Sequence, residues 1–173
     1  MTFSSDAAMD TYISGIKNAH ALEKQATQLI ERQLERLEHY PEVEQVLRQH
    51  LRETEQQIQR LEEVLHGFGE DRSLLKDLAT SISGNLAAIA HSIMPDEVLK
   101  NHFANHAFEN FEIAAYTSLI TMAEATGHGQ HVTAYRTSLS EEEKTAQTLR
   151  EMTPALTLKY MRLYEESTMQ AKI

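Results

Sequence analysis

The chain has 173 residues, no cysteine, and 26 acidic against 16 basic side chains, for a net charge of −10. A single domain over residues 1–173 is the expected organisation, and disulfides, thiolate chemistry and sulfur-rich metal sites are excluded. A surface this acidic repels nucleic acid and anionic membrane, so neither is an expected partner.

Glycine (6) and proline (3) are scarce and tryptophan is absent, while Ala, Leu, Glu and Gln fill the long segments, which predicts an all-helical protein. The opening stretch MTFSSDAAMDTYISG lacks the basic region and apolar core of a secretory signal. No run approaches the ~18 apolar residues that would span a bilayer. A cytoplasmic location is the resulting expectation.

The first helix is predicted from Asp6 to His39, with Ser4, Ser5 and Asp6 as capping candidates and Pro41 marking its end. Pro41 also suits the first turn of a second helix, running to about His66, where Gly67-Phe68-Gly69 breaks it. A turn this tight makes the two helices antiparallel. The segment from Glu70 to Met94 contains a short helical stretch interrupted by Gly84, and it is long enough to cross over. A third helix follows Pro95-Asp96-Glu97 to about Thr126; Gly127-His128-Gly129 then turns the chain into a fourth, from Gln130 to Met152. A short fifth helix is predicted after Pro154. Two hairpins joined by a long connection describe the ferritin-like four-helix bundle rather than a simple up-and-down bundle.

Residues three and four apart on a helix share a face. In HAFENFEIAAYTSLITMAEATG that spacing puts Glu109 and Glu112 on one stripe with Tyr116, Leu119/Ile120 and Ala123. Glu23 falls likewise in the middle of the stripe Ile16, Ala19/His20, Ala26 and Ile30. Carboxylates pointed together into a core cost several kcal/mol each to desolvate, by rough reckoning, and repel one another unless a cation joins them. The second helix offers Glu53, with His50 as a ligand, a positioning partner or an ordinary core histidine, and Gln57 as a neutral hydrogen-bonding amide. The fourth offers Glu142 closest to the core and Glu143 beside it, with Glu141 expected in solvent. Tyr116 could hydrogen-bond a ligand or sit as a plain core tyrosine. Hard oxygen ligands from four helices suit a pair of divalent ions, iron or manganese.

The segments AHALEKQ, QHLRETEQQIQRLEEVL, FENFEIAAYTSLITMAEATG and LSEEEKTAQTL together resemble the bacterial YciE/YciF ferritin-like family of stress-associated proteins. The resemblance implies a four-helix bundle, a homodimer and a dinuclear metal site. Carried onto this chain it points to Glu23, Glu53, Glu109, Glu112 and either Glu142 or Glu143. The chain departs from the wider di-iron pattern at two places. Gln56 stands three residues after Glu53, and Thr145 and Ala146 stand three after Glu142 and Glu143, where that pattern has histidine.

The functional expectation is a metal-binding bundle that holds iron or manganese and consumes oxygen or peroxide, as a di-metal oxidase or peroxidase would. The rival is a non-catalytic structural or interaction protein whose acids bind a structural cation or form ion networks with Lys24, Arg52 and Lys144. No sequence feature identifies an electron donor. The apolar run LAAIAHSIM in the crossover is the sequence feature in favour of a dimer.

Overall fold

Ser5 starts the first helix by accepting a hydrogen bond from the Ala8 amide through its side chain, which satisfies one of the free donors at a helix N-terminus. In the computed structural model, which describes residues 2–69, 97–167 and 170–171, helix α1 spans Asp6–Leu34, α2 Pro41–Gly67, α3 Glu97–Ala125 and α4 Val132–Glu166. A single 3-10 turn, Gly129–His131, precedes α4. No strand occurs among the described residues.

α1 stops at Leu34, five residues short of the predicted His39, because Leu37 and Tyr40 leave the helical path to enter the core. The Tyr40 hydroxyl then donates to the Ala171 carbonyl at 2.7 Å. α3 ends in a glycine cap. Gly127 adopts φ +80°, the His128 amide donates to the Ala123 carbonyl at 2.8 Å, and the Gly127 amide faces the Glu124 carbonyl.

The separate fifth helix is a correction. α4 continues through Pro154 to Glu166. Proline cannot donate to the Arg150 carbonyl, but the surrounding turn is held by tertiary packing. Leu156 beyond it is buried against Leu37, Tyr40, Val43 and Leu47, and Lys159 reaches Glu42 on α2.

Cross-helix bonds give the topology. Tyr116 meets Glu23 in the middle of α1 and Asn105 meets Gln33 near its C-terminal end, so α1 and α3 are antiparallel neighbours. Gln57 with Glu142 and Glu42 with Lys159 relate α2 and α4 in the same way. His20 with Glu62 makes α1 antiparallel to α2, and His102 with Thr153 does the same for α3 and α4. α2 and α3 therefore run parallel across the diagonal, and Gly69 and Glu97 lie at opposite ends of a bundle about 40 Å long. This is the ferritin-like order of two hairpins. The predicted crossover helix and the apolar run LAAIAHSIM lie outside the described residues.

The interior is layered. One apolar cluster, including Tyr12, Ile16, Leu61, Leu65, Leu119 and Tyr135, fills the end near the α3–α4 turn. Another, including Ile30, Leu37, Val43, Leu47, Val98 and Leu156, fills the opposite end. Between them lies a layer of buried polar side chains.

Candidate metal centre

That middle layer is set by helix phase. On α2, His50, Gln57 and Leu61 face the axis, and at about 100° per residue Thr54 joins them while Glu53 swings about 70° off the centre of the stripe. Thr54 is accordingly fully buried, and Glu53 is half-buried and accepts from Gln49 at 2.7 Å. On α4 the same geometry puts Glu142 on the face formed by Ser138, Thr145 and Leu149. Glu142 is 0% exposed, whereas Glu143 is exposed.

Four buried side chains converge: His50, Glu109, Glu112 and Glu142 each offer a ligand atom within 4.8 Å of the others. His50 Nε2 lies 3.1 Å from Glu109 Oε1 and 3.8 Å from Glu142 Oε2. Its Nδ1 faces the Thr145 hydroxyl at 3.3 Å, which orients the ring and directs Nε2 at the carboxylates. Glu23, also buried, accepts a 2.6 Å hydrogen bond from the Tyr116 hydroxyl. Gln57 donates to Glu142 Oε1 from the neighbouring helix.

Of the residues expected at the site, the fold thus brings together Glu109, Glu112 and Glu142, with Glu23, Gln57 and Tyr116 at their border. It leaves Glu53 and Glu143 outside. His50 takes the place expected of Glu53, and it supplies the imidazole that the spacing around Glu142 lacks. Thr145, standing where the wider pattern has histidine, is the residue that steadies His50. Glu141 corrects the expectation of a solvent-facing acid. Its side chain is 20% exposed, gripped by both terminal nitrogens of Arg60 at 2.6 and 2.9 Å. The signal for this partnership was tertiary, since Arg60 and Glu141 are far apart in sequence.

The layer is rich in acid: Glu23, Glu109, Glu112 and Glu142 are all buried, and the His50 imidazole stands within ion-pair distance of two of them. Five of their buried oxygens, Glu23 Oε2, Glu109 Oε2, both of Glu112 and Glu142 Oε2, have no hydrogen-bond partner other than one another's carboxyl groups. Burial pushes the Glu23 carboxyl up to about 8, against the lowering effect of Tyr116 and His50. Burial, reinforced by Glu109 and Glu23, pushes Glu142 up to about 11. Glu112 is raised well above the carboxylic range by burial and by Glu23 and Glu142. Burial opposes a charge on His50, yet Glu109, Glu23 and Glu53 outweigh it and raise its pKa. Buried carboxyl oxygens facing an oriented imidazole are a donor set that hard or borderline divalent ions take.

The family model described as "Domain of unknown function (DUF892)" matches residues 7–162. The chain belongs to the DUF892 family. Protein YciF of Escherichia coli (strain K12) is 27% identical over 143 residues, 79% of this chain and 84% of its own length. Among solved structures, a protein from Xanthomonas campestris pv. campestris superposes with a TM-score of 0.75 at 25% identity, covering 91% of this chain and 99% of that one. The Escherichia coli stress protein YciF superposes with a TM-score of 0.67 at 23% identity, over 86% of this chain and 96% of that one. The resemblance to the YciE/YciF proteins is therefore one of family and of fold. No helix among the described residues of this DUF892 member is long and apolar enough to cross a membrane.

Proposed function

We propose that the protein binds divalent metal, iron(II) or manganese(II), in the middle layer of the bundle. His50, Glu109, Glu112 and Glu142 would hold one ion, and Glu23 would extend the set to a second. The observation that carries this reading is the group of buried carboxyl oxygens gathered around an imidazole held in place by Thr145. Such a group is costly to keep in a dry interior, and a cation relieves both the desolvation and the mutual repulsion. When bound, a pair of such ions supplies the electrons to reduce dioxygen or peroxide. The role of the chain is to exclude bulk water from the layer, to keep Glu23 oriented through the Tyr116 hydroxyl and to keep His50 aimed inward. The Escherichia coli relative is described as a stress protein, and removal of an oxidant is the stress-related chemistry this site would suit.

The second reading is a metal-free structural bundle. It is favoured by the raised carboxyl pKa values, since a layer that keeps its protons and one His50–Glu109 ion pair neutralises itself. Elemental analysis of the protein as purified, followed by thermal unfolding of the chelator-treated protein with and without manganese(II) or iron(II), separates the two. Stoichiometric metal and a raised midpoint support the metal centre. A midpoint indifferent to both ions would establish the structural bundle.

A further inference from the structure

The buried layer is linked to the surface along one line of side chains. The Gln57 amide, on a residue that is 0% exposed, donates to Glu142 Oε1 inside and to Glu141 Oε2 outside, the latter at 3.0 Å. Glu141 is one residue from the inner acid on α4 but about 100° around the helix, so it stands at the boundary between layer and solvent. Gln57 Oε1 is buried and has no hydrogen-bond partner, while Nε2 of the same amide bridges the two carboxylates. Arg60, with 21% of its side chain exposed, closes the outer end by gripping both Glu141 oxygens and donating to Ser138 Oγ at 3.1 Å.

We propose that Glu141 and the Gln57 amide oxygen form a transit site through which a divalent cation reaches the buried layer, with Arg60 as the counter-ion that occupies it beforehand. The inference rests on the metal-binding reading above. A bidentate guanidinium sits on a carboxylate where a cation would sit, and it neutralises that carboxylate while the site is waiting. An arriving ion exchanges with Arg60 for Glu141; the Gln57 amide, whose nitrogen faces both carboxylates beforehand, turns over to offer its oxygen, and the ion is then one helical position away from Glu142. Arg60 can withdraw toward solvent because its side chain is partly exposed. Glu143, about 100° to the other side of Glu142, is exposed and lacks any such bridge.

The test is the rate of manganese(II) uptake by the full-length, chelator-treated protein, followed as loss of the free-ion paramagnetic resonance signal, alongside the final bound stoichiometry. Glu141→Gln should slow uptake about tenfold, the lower end of what a local charge does to an association rate, and leave the stoichiometry unchanged. Arg60→Gln should speed uptake, Arg60→Lys should fall between it and wild type, and Glu143→Gln should match wild type. Added salt should slow the wild type more than Glu141→Gln, which a merely structural role for Glu141 would not produce. Wild-type protein that loads while all variants load at its rate overturns the transit site and leaves the metal centre standing. A lower final stoichiometry in Glu141→Gln makes Glu141 a resident ligand and also overturns it. Wild-type protein that takes up no manganese(II) or iron(II) overturns both readings.

Discussion

Raising the pH of the metal-free protein from 5 to 8 should destabilise it steeply. A carboxyl whose pKa is higher in the folded chain than in the unfolded one keeps a proton that the unfolded chain has already lost. The stability this contributes is complete below the unfolded value near 4.5 and disappears as the pH rises toward the folded value. Glu23, pushed up to about 8, spans this whole interval. Each proton so held is worth about 1.4 kcal/mol per pH unit, so Glu23 by itself implies a loss of about 4 kcal/mol. Glu142, raised further, and Glu112, raised well above the ordinary carboxylic value, add in the same sense. His50, also raised, adds its share above its ordinary value. Against a total stability of roughly 5–15 kcal/mol the effect is large. The assay is urea unfolding at pH 5, 6, 7 and 8 in chelator, repeated with saturating manganese(II). Binding requires the carboxylates without their protons, so metal affinity should tighten with pH and the slope should flatten or reverse. Metal-free stability that stays level or increases from pH 5 to 8 would refute the electrostatic account of the layer.

Three further outcomes are expected. Glu112→Gln, neutral and of similar shape, has no proton for the unfolded chain to lose, so it should stabilise the metal-free protein at pH 7 by more than about 1 kcal/mol relative to wild type while removing most of the metal-dependent rise in thermal midpoint; an unchanged rise would show that Glu112 is not a ligand. Tyr12→Phe removes the hydroxyl shared by His131 Nδ1 and Tyr135 at 2.9 Å each, and should cost about 1–3 kcal/mol in urea unfolding by stranding the buried Tyr135 hydroxyl. Pro154→Ala restores an amide donor inside α4 and should stabilise the protein by about 1–3 kcal/mol. A loss of stability would mean that α4 depends on the proline there.

Much of this molecule was legible in the sequence because helix periodicity is local. The spacing of Glu109 and Glu112 with Tyr116, and of Glu23 with Ile16 and Ile30, places those acids on buried stripes, where the structure has them. Two short turns and one long connection likewise imply paired hairpins. Choices that turn on less than one residue of helix phase were harder. Thr54 and Glu53 are adjacent and about 100° apart on α2, and the packing that turns His50, Gln57 and Leu61 to the axis takes Thr54 with them. α4 runs through Pro154 because Leu156 and Lys159 find partners on α2, which a local rule about proline does not include. The two partnerships that most define the layer, His50 with Thr145 and Arg60 with Glu141, join α2 to α4 across more than 80 positions of the chain. A one-dimensional pattern records which face a side chain takes on its own helix. Which side chain meets it from another helix is decided when the helices pack.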